Sequence, residues 1–117
     1  MPRAKREIRF GDVLLVPFPF TDQRQIKQRP AVVVSSPTYH RTRIDLIVMA
    51  VSTQTRSDDA TGEVAVGRWR EAGLLKPSVF KPLLATIERR IVRRRLGRLV
   101  DPDRQSLIRL LGEILGD

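Results

Sequence analysis

The residues with the most evident chemistry in this sequence are arginines. Among 117 residues, 22 are Lys or Arg and 13 are Asp or Glu, which gives a formal net charge of +9. The densest cluster lies within ten residues and consists of Arg89, Arg90, Arg93, Arg94, Arg95 and Arg98. Clustered guanidinium groups attract polyanions, and such contacts provide affinity and salt dependence rather than base choice. The sequence therefore predicts that the partner is a nucleic acid or an acidic protein segment.

Metal chemistry has little support in the composition. Cysteine is absent and His40 is the single histidine, so neither a thiolate site nor an imidazole cluster can form. No close group of Asp and Glu falls in the apolar segments, which argues against a carboxylate site. We therefore expect no metal and no cofactor. His40 could titrate near neutral pH and transfer protons, but its polar surroundings favour a solvated surface histidine.

Length and hydropathy predict one domain outside the membrane. No apolar run approaches the roughly 18 residues of a membrane span. Residues 1–10 carry too much charge for the apolar region of a signal peptide. We expect a cytoplasmic protein with a basic lead-in over residues 1–9 and a single folded domain over residues 10–117.

Three apolar runs of strand length supply the predicted core. They span residues 13–16, 31–36 and 46–51. Runs rich in β-branched and aliphatic residues predict strands, and the second and third are typical of buried central strands. Residues 17–29 contain two prolines and then a polar, charged stretch that predicts a long mobile loop. A polar turn is predicted around residues 37–43.

The second half of the chain predicts shorter strands and one helix. Strand-like segments lie at residues 63–66, 78–80, 83–87, 91–92 and 96–100. Asp101 is expected to cap a helix of about 14 residues that has Pro102 at its first position, and apolar residues from Leu107 to Leu115 recur at helical spacing. This order of elements predicts an α+β fold, a small and strongly curved barrel with a C-terminal helix.

Several short segments, taken in order, resemble the MazF/PemK-like toxin family. The chain reads GDV at 11–13, PFPFTD at 17–22, RPAVVVS at 29–35 and VSTQ at 51–54. GLLKPS at 73–78 and LGRL at 96–99 extend the resemblance, which covers about Phe10 to Leu115. The family is similar in fold to the one predicted above, an SH3-like barrel, and its members usually form homodimers. The resemblance implies a sequence-selective endoribonuclease that acts on single-stranded RNA as the toxin of a toxin-antitoxin pair.

The resemblance also implies catalytic roles for Arg29, Ser52 and Thr53. RNA carries its own nucleophile, because the 2′-hydroxyl can attack the adjacent phosphorus to leave a 2′,3′-cyclic phosphate and a 5′-hydroxyl. Such an enzyme needs charge stabilisation and proton transfer, and a guanidinium can bind the phosphate through two hydrogen bonds. A hydroxyl group can position the reacting atoms. The alternative is that Arg29 is a surface cation and that Ser52 and Thr53 satisfy backbone groups at a strand end.

The general base is the point at which the chain departs from the family. Some members carry an Arg-x-Asp arrangement where this sequence reads Phe80-Lys81-Pro82-Leu83. Lys81 is a candidate for the basic member of that arrangement, and Glu88 is the nearest acidic candidate in the sequence.

Contacts to RNA are expected from aromatic and basic residues near these positions. Phe18 and Phe20 are the preferred candidates for stacking on bases because they precede Arg29 in the predicted loop, and Lys27 is a candidate phosphate contact. Tyr39 and Trp69 are weaker candidates. For all four aromatic residues, packing in the core or at its rim remains an equal alternative.

Two other functions remain open. The gyrase-poisoning CcdB toxins share this fold class and need no cleavage machinery, and a nucleic-acid-binding barrel without activity would fit the missing aspartate. The pairing of Arg29 with Ser52 favours the nuclease. In that case we expect a cognate antitoxin with an acidic segment, which would bind beside the loop at residues 17–29.

Overall fold

The computed structural model describes residues 7–18, 27–53 and 63–116. The loop predicted over residues 17–29 falls largely outside these ranges. Six strands and two α-helices lie within them, together with a 3₁₀ turn at Arg89–Ile91. The strands are β1 (Asp12–Pro17), β2 (Gln28–Val33), β3 (Asp45–Thr53), β4 (Val64–Ala65), β5 (Ser78–Glu88) and β6 (Arg94–Arg98), and the helices are α1 (Pro37–Thr42) and α2 (Asp101–Ile114).

The strands form one curled sheet in the order β4-β5-β3-β2-β1-β6. Every neighbouring pair is antiparallel. The first strand therefore lies beside the last, and β6 forms one edge of the sheet. A half-barrel of this kind with a C-terminal helix confirms the predicted α+β fold.

Both faces of the central strands are buried, which explains their nearly unbroken apolar sequences. Val13, Val32 and Met49 belong to a cluster that α2 completes with Leu107 and Leu110. The residues next to them in the sequence, Leu14, Ala31 and Val48, belong to a second apolar cluster. Because side chains alternate across a strand, a strand buried on both faces needs apolar residues at consecutive positions.

Two irregularities in strand pairing redirect side chains. Three residues of β5, from Lys81 to Leu83, lie opposite Ala50 alone. Pro82 has no N–H to donate, and a bulge accommodates it without ending the strand. Towards the opposite edge of the sheet, where β6 pairs with β1, Leu96 is an additional residue without a partner in β1.

The turn predicted around residues 37–43 is instead the short helix α1. Ser36 caps it, because the Ser36 side-chain oxygen accepts a hydrogen bond from the Tyr39 backbone N–H at 3.2 Å. Pro37 occupies the first turn, where its missing N–H costs nothing. The helix buries none of its own residues, so it lacks the apolar stripe by which a helix is recognised in sequence.

Helix α2 has the predicted length, but its beginning differs from the prediction. The N-cap is Val100, and Asp101 is the first helical residue. Asp103, which is 5% exposed, accepts hydrogen bonds from the backbone N–H groups of Gly67 at 2.9 Å and Arg68 at 2.8 Å. Asp103 thus ties the turn at residues 67–73 to the helix. Within the described ranges, no helix has the length and apolar character to cross a membrane.

The same turn packs backbone to backbone against β6. A Cβ atom at Gly73, where φ is +87°, would lie 2.1 Å from the Leu96 carbonyl oxygen, and one at Gly97 would lie 2.4 Å from the Ala72 carbonyl oxygen. Only glycine permits this approach, and at Gly73 the positive φ imposes the same requirement.

Candidate functional site

A cleft of about 740 Å³, called the first cleft below, brings together the three predicted catalytic residues and three more of the residues that the sequence predicts to be functional. Its polar lining includes Arg29, Ser52, Thr53, Lys81 and Arg94. Apolar side chains from β1, β6 and the segment after the 67–73 turn complete its walls. Positive charge and hydroxyl groups at an apolar-walled cleft can hold an anionic group at a fixed position.

Arg29 and Ser52 meet because adjacent strands carry them. Ala31 of β2 pairs with Ala50 of β3, and the same register continued by two residues sets Arg29 across from Ser52. Arg29 is exposed and has no ion-pair partner among the residues that the structure describes. The Ser52 hydroxyl is 3.5 Å from the Thr53 carbonyl oxygen, a long and weak hydrogen bond. Both side chains can therefore turn to a ligand.

Among the residues that the structure describes, the carboxylate that pairs with a basic residue of the first cleft is Glu63, which sequence reasoning missed. Lys81 Nζ lies 2.9 Å from Glu63 Oε2, and the two side chains are 33% and 25% exposed. Glu63 directly precedes β4, and Val64 of β4 pairs with Phe80. The two-residue strand thereby brings an acid to the bulge that carries Lys81. The only sequence signal was a brief strand starting at residue 63, without any indication of its partner.

Glu88, the acid that the sequence favoured, lies away from the first cleft. It pairs in register with Asp45, seven residues along β5 from Lys81, which is about 20 Å in an extended strand. Its carboxylate binds Arg90. The prediction failed because closeness in sequence along a strand does not mean closeness in space.

The predicted stacking residues also differ from expectation. Phe18 is 2% exposed and belongs to the second apolar cluster. The Phe18 ring lines the first cleft but is almost fully covered by its neighbours, so its stacking on RNA stays a prediction that the burial does not favour. Phe20 lies outside the described residues. Lys27 is exposed but is not part of the cleft lining.

The two weaker aromatic candidates each lie beside an arginine. The Arg70 guanidinium is 4.8 Å from the centre of the Trp69 ring, and the Arg43 guanidinium is 5.0 Å from the centre of the Tyr39 ring. Such cation–π contacts occupy ring faces that a base would need.

The arginine cluster divides between different surroundings. Arg94 lines the first cleft. Arg95 and Arg98 face the fully buried carboxylate of Asp12, at 3.7 Å and 2.7 Å. Arg90 is paired with Glu88. The six residues therefore do not form one uniform phosphate-binding surface.

His40 is not the solvated surface residue that the sequence indicated. Its Nε2 lies 2.6 Å from the hydroxyl of Ser35, which is 4% exposed and also accepts a hydrogen bond from the Ile47 backbone N–H at 3.1 Å. Burial lowers the pKa of His40 below its ordinary value of 6.5. The charge of Arg89 acts in the same direction, while the Ile8 backbone and Asp12 oppose it. His40 lies outside the first cleft and helps to hold α1 on β3.

Comparison with known proteins gives one family match and a consistent set of structural relatives. The family model described as PemK-like, MazF-like toxin of type II toxin-antitoxin system matches residues 9–115. No functionally curated protein sequence matches the chain.

Solved structures of similar fold include an endoribonuclease in complex with its cognate antitoxin from Mycobacterial species, with a TM-score of 0.71, 18% identity and coverage of 92% of both chains. Mycobacterium tuberculosis toxin MazF-mt6 has a TM-score of 0.69 and 20% identity, covering 87% of this chain and 93% of that one. MazF from Deinococcus radiodurans has a TM-score of 0.67 and 20% identity, with coverage of 95% and 97%.

Proposed function

Because this chain belongs to the PemK-like, MazF-like toxin family of type II toxin-antitoxin systems, we propose that it is an endoribonuclease that cleaves single-stranded RNA in the cytoplasm. The observation that carries the proposal is the first cleft, in which Arg29, Ser52 and Thr53 come together from β2 and β3. A gyrase-binding toxin would not need a guanidinium and hydroxyl groups in one cleft. An endoribonuclease would use the Arg29 guanidinium and both hydroxyl groups.

In the proposed reaction the RNA supplies its own nucleophile. The 2′-hydroxyl oxygen forms a bond to phosphorus, the bond from phosphorus to the 5′-oxygen breaks, and the products are a 2′,3′-cyclic phosphate and a 5′-hydroxyl. Arg29 binds the non-bridging oxygens, on which negative charge grows, through two hydrogen bonds. Ser52 and Thr53 orient the phosphate, and no metal is needed for these steps.

Two proton transfers complete the reaction, and the pair of Lys81 and Glu63 is suited to them. One proton must leave the 2′-hydroxyl and one must reach the departing 5′-oxygen. A carboxylate can accept the first and an ammonium group can donate the second. We assign these roles to Glu63 and Lys81 because Lys81 lines the first cleft and its 2.9 Å ion pair holds Glu63 beside it.

The proposed biological setting is that of a toxin held inactive by an acidic antitoxin. One relative of similar fold was solved as a complex with its cognate antitoxin. A net charge of +9 suits a partner with an acidic segment. Leu75, 92% exposed at the rim of the first cleft, offers apolar surface to such a partner or to the second copy of a homodimer.

The decisive experiment is RNA cleavage in the presence of EDTA. Wild-type protein should give discrete fragments with cyclic phosphate and 5′-hydroxyl ends. Arg29→Ala should lower the cleavage rate about 100- to 1000-fold, as the loss of an oxyanion-stabilising donor does. Arg109→Ala removes an exposed arginine of α2 that lines neither cleft and should leave the rate unchanged. Intact RNA with the wild-type protein would overturn the proposal.

The roles of Glu63 and Lys81 have a separate test in the pH dependence of kcat. Glu63→Gln should lower kcat about 100-fold and abolish the acidic limb of the profile, because an amide cannot accept the proton. Glu88→Gln is the matched control, since the Glu88 carboxylate lies at the far end of β5. If the Glu88 variant lost activity and the Glu63 variant did not, the assignment would be wrong.

A further inference from the structure

A second cleft of about 730 Å³ lies where β1 begins, where α1 follows β2 and where α2 begins. Five arginines line it, namely Arg9, Arg41, Arg89, Arg98 and Arg104. The two carboxylates in its lining are Glu7 and Asp101. Most of these arginines lie outside the cluster that stands out in the sequence, and the fold assembles them from four separate segments.

Three of the five arginines keep an uncompensated charge. Arg9 pairs with Glu7 at 3.2 Å, and Arg98 pairs with Asp12 at 2.7 Å. Within the described part of the chain, Arg41, Arg89 and Arg104 have no carboxylate partner.

Neutral contacts orient these three side chains. Arg41 donates to the Thr38 hydroxyl at 3.3 Å, Arg89 donates to the His40 carbonyl oxygen at 3.3 Å, and the Arg104 guanidinium lies 5.1 Å from the centre of the Phe10 ring. These contacts hold the guanidinium groups in place without neutralising them. The arrangement is therefore prepared to bind an anion.

Edge strand β6 connects the two clefts. Arg94 at one end of β6 lines the first cleft, and Arg98 at the other end lines the second. Four residues of extended strand span about 13 Å. Arg95, 40% exposed, lies between the two ends. Arg95 and Arg98 both face the single carboxylate of Asp12, so these three arginines keep an excess of positive charge along the edge of the sheet from one cleft to the other.

We propose that the second cleft binds a backbone phosphate of the RNA strand whose scissile phosphate occupies the first cleft. This inference rests on the proposed endoribonuclease function and names a further subsite for its substrate. An RNA strand presents phosphates at regular intervals, as a line of arginines requires. An acidic peptide would also need large apolar anchors, but in this cleft Arg104 covers Phe10 and Leu99 is 5% exposed, which leaves Ile8 and Pro37 as the accessible apolar lining.

The test measures how affinity depends on RNA length. The probes are 2′-O-methylated RNAs of about 2 and about 16 nucleotides, which lack the nucleophile and stay intact; the short one has a single bridging phosphate and cannot reach both clefts. The double variant Arg41→Gln/Arg89→Gln should bind the long RNA about ten-fold more weakly. Its slope of log affinity against log salt should fall by about 0.7, the value for one lost phosphate contact on a single strand. Binding of the short RNA should not change.

Matched variants separate this subsite from general charge loss. Arg109→Gln should leave both affinities unchanged, and Arg41→Lys/Arg89→Lys should retain the salt slope. An equal loss for the short and long RNAs, or no loss for the long RNA, would overturn the proposal. The proposal would also be overturned if the double variant lost affinity for an acidic peptide and kept its affinity for both RNAs. Because the methylated RNAs report binding alone, a wild-type protein that fails to cleave unmodified RNA would refute the proposed function in a separate measurement.

Discussion

Asp103 should contribute far more to stability than its neighbour Asp101, although both lie in the first turn of α2. A carboxylate near a helix N-terminus stabilises the helix by about 0.3–1 kcal/mol, and both residues have this effect. Asp103 alone accepts two backbone hydrogen bonds, from Gly67 and Arg68. Each bond to a charged acceptor contributes about 1.5–3 kcal/mol. Because Gly67 and Arg68 are themselves exposed, water can partly replace the acceptor, and the lower end of that range applies.

Asp103→Ala is therefore expected to lower the free energy of unfolding by about 3 kcal/mol, or the melting temperature by about 10–15 °C. Asp103→Asn keeps one oxygen acceptor and should lose about half as much. Asp101→Ala, the control, should lose about 0.5 kcal/mol. Urea denaturation followed by circular dichroism measures all three. If Asp103→Ala were no less stable than Asp101→Ala, the two backbone hydrogen bonds would not be holding the turn.

Three further predictions concern other parts of the molecule. Because burial lowers the pKa of His40 in the folded protein, the unfolded chain binds the proton at a higher pH than the folded one. The free energy of unfolding should therefore decrease as the pH drops below about 6.5. Urea denaturation across this pH range should show a smaller decrease for His40→Gln than for the wild type. Gly97→Ala places a methyl group 2.4 Å from the Ala72 carbonyl oxygen and should lower the free energy of unfolding by about 1–3 kcal/mol. Gly112→Ala, the control, meets no atom within 4 Å and should raise it by about 0.5–1 kcal/mol. Equal changes in melting temperature for the two variants would contradict the close packing at Gly97. Ser52→Ala should lower kcat for RNA about ten-fold at an unchanged melting temperature, and an unaltered kcat would remove Ser52 from the mechanism.

The apolar runs made most of the fold predictable. In β1, β2 and β3 consecutive residues enter alternate cores, so each strand carries an unbroken signal in the sequence. The apolar stripe of α2 is equally clear. By contrast, β5 was predicted in pieces because Pro82 interrupts it, and only the bulge opposite Ala50 allows the strand to continue. Helix α1 was missed because it buries none of its residues.

The candidate site was predictable where it depends on strand ends and unpredictable where it depends on distant pairing. Arg29 and Ser52 come together because neighbouring strands carry them, and the sequence indicated both strands. Glu63 reaches Lys81 only through the pairing of a two-residue strand with β5, a contact that local patterns do not encode. The partial burial of His40 likewise depends on its contact with Ser35, whose hydroxyl is held at β3 by the Ile47 N–H.

The close contact of Gly73 with β6 also bears on when a newly made chain becomes active. The ribosome delivers β1 early and β6 late, yet the two strands pair, and the Ala72–Gly73 backbone rests on that of Leu96–Gly97. A nascent chain that has not yet exposed β6 lacks one wall of the first cleft. We therefore expect incomplete translation products to be inert, so that cleavage would begin only after β6 has left the ribosome and docked.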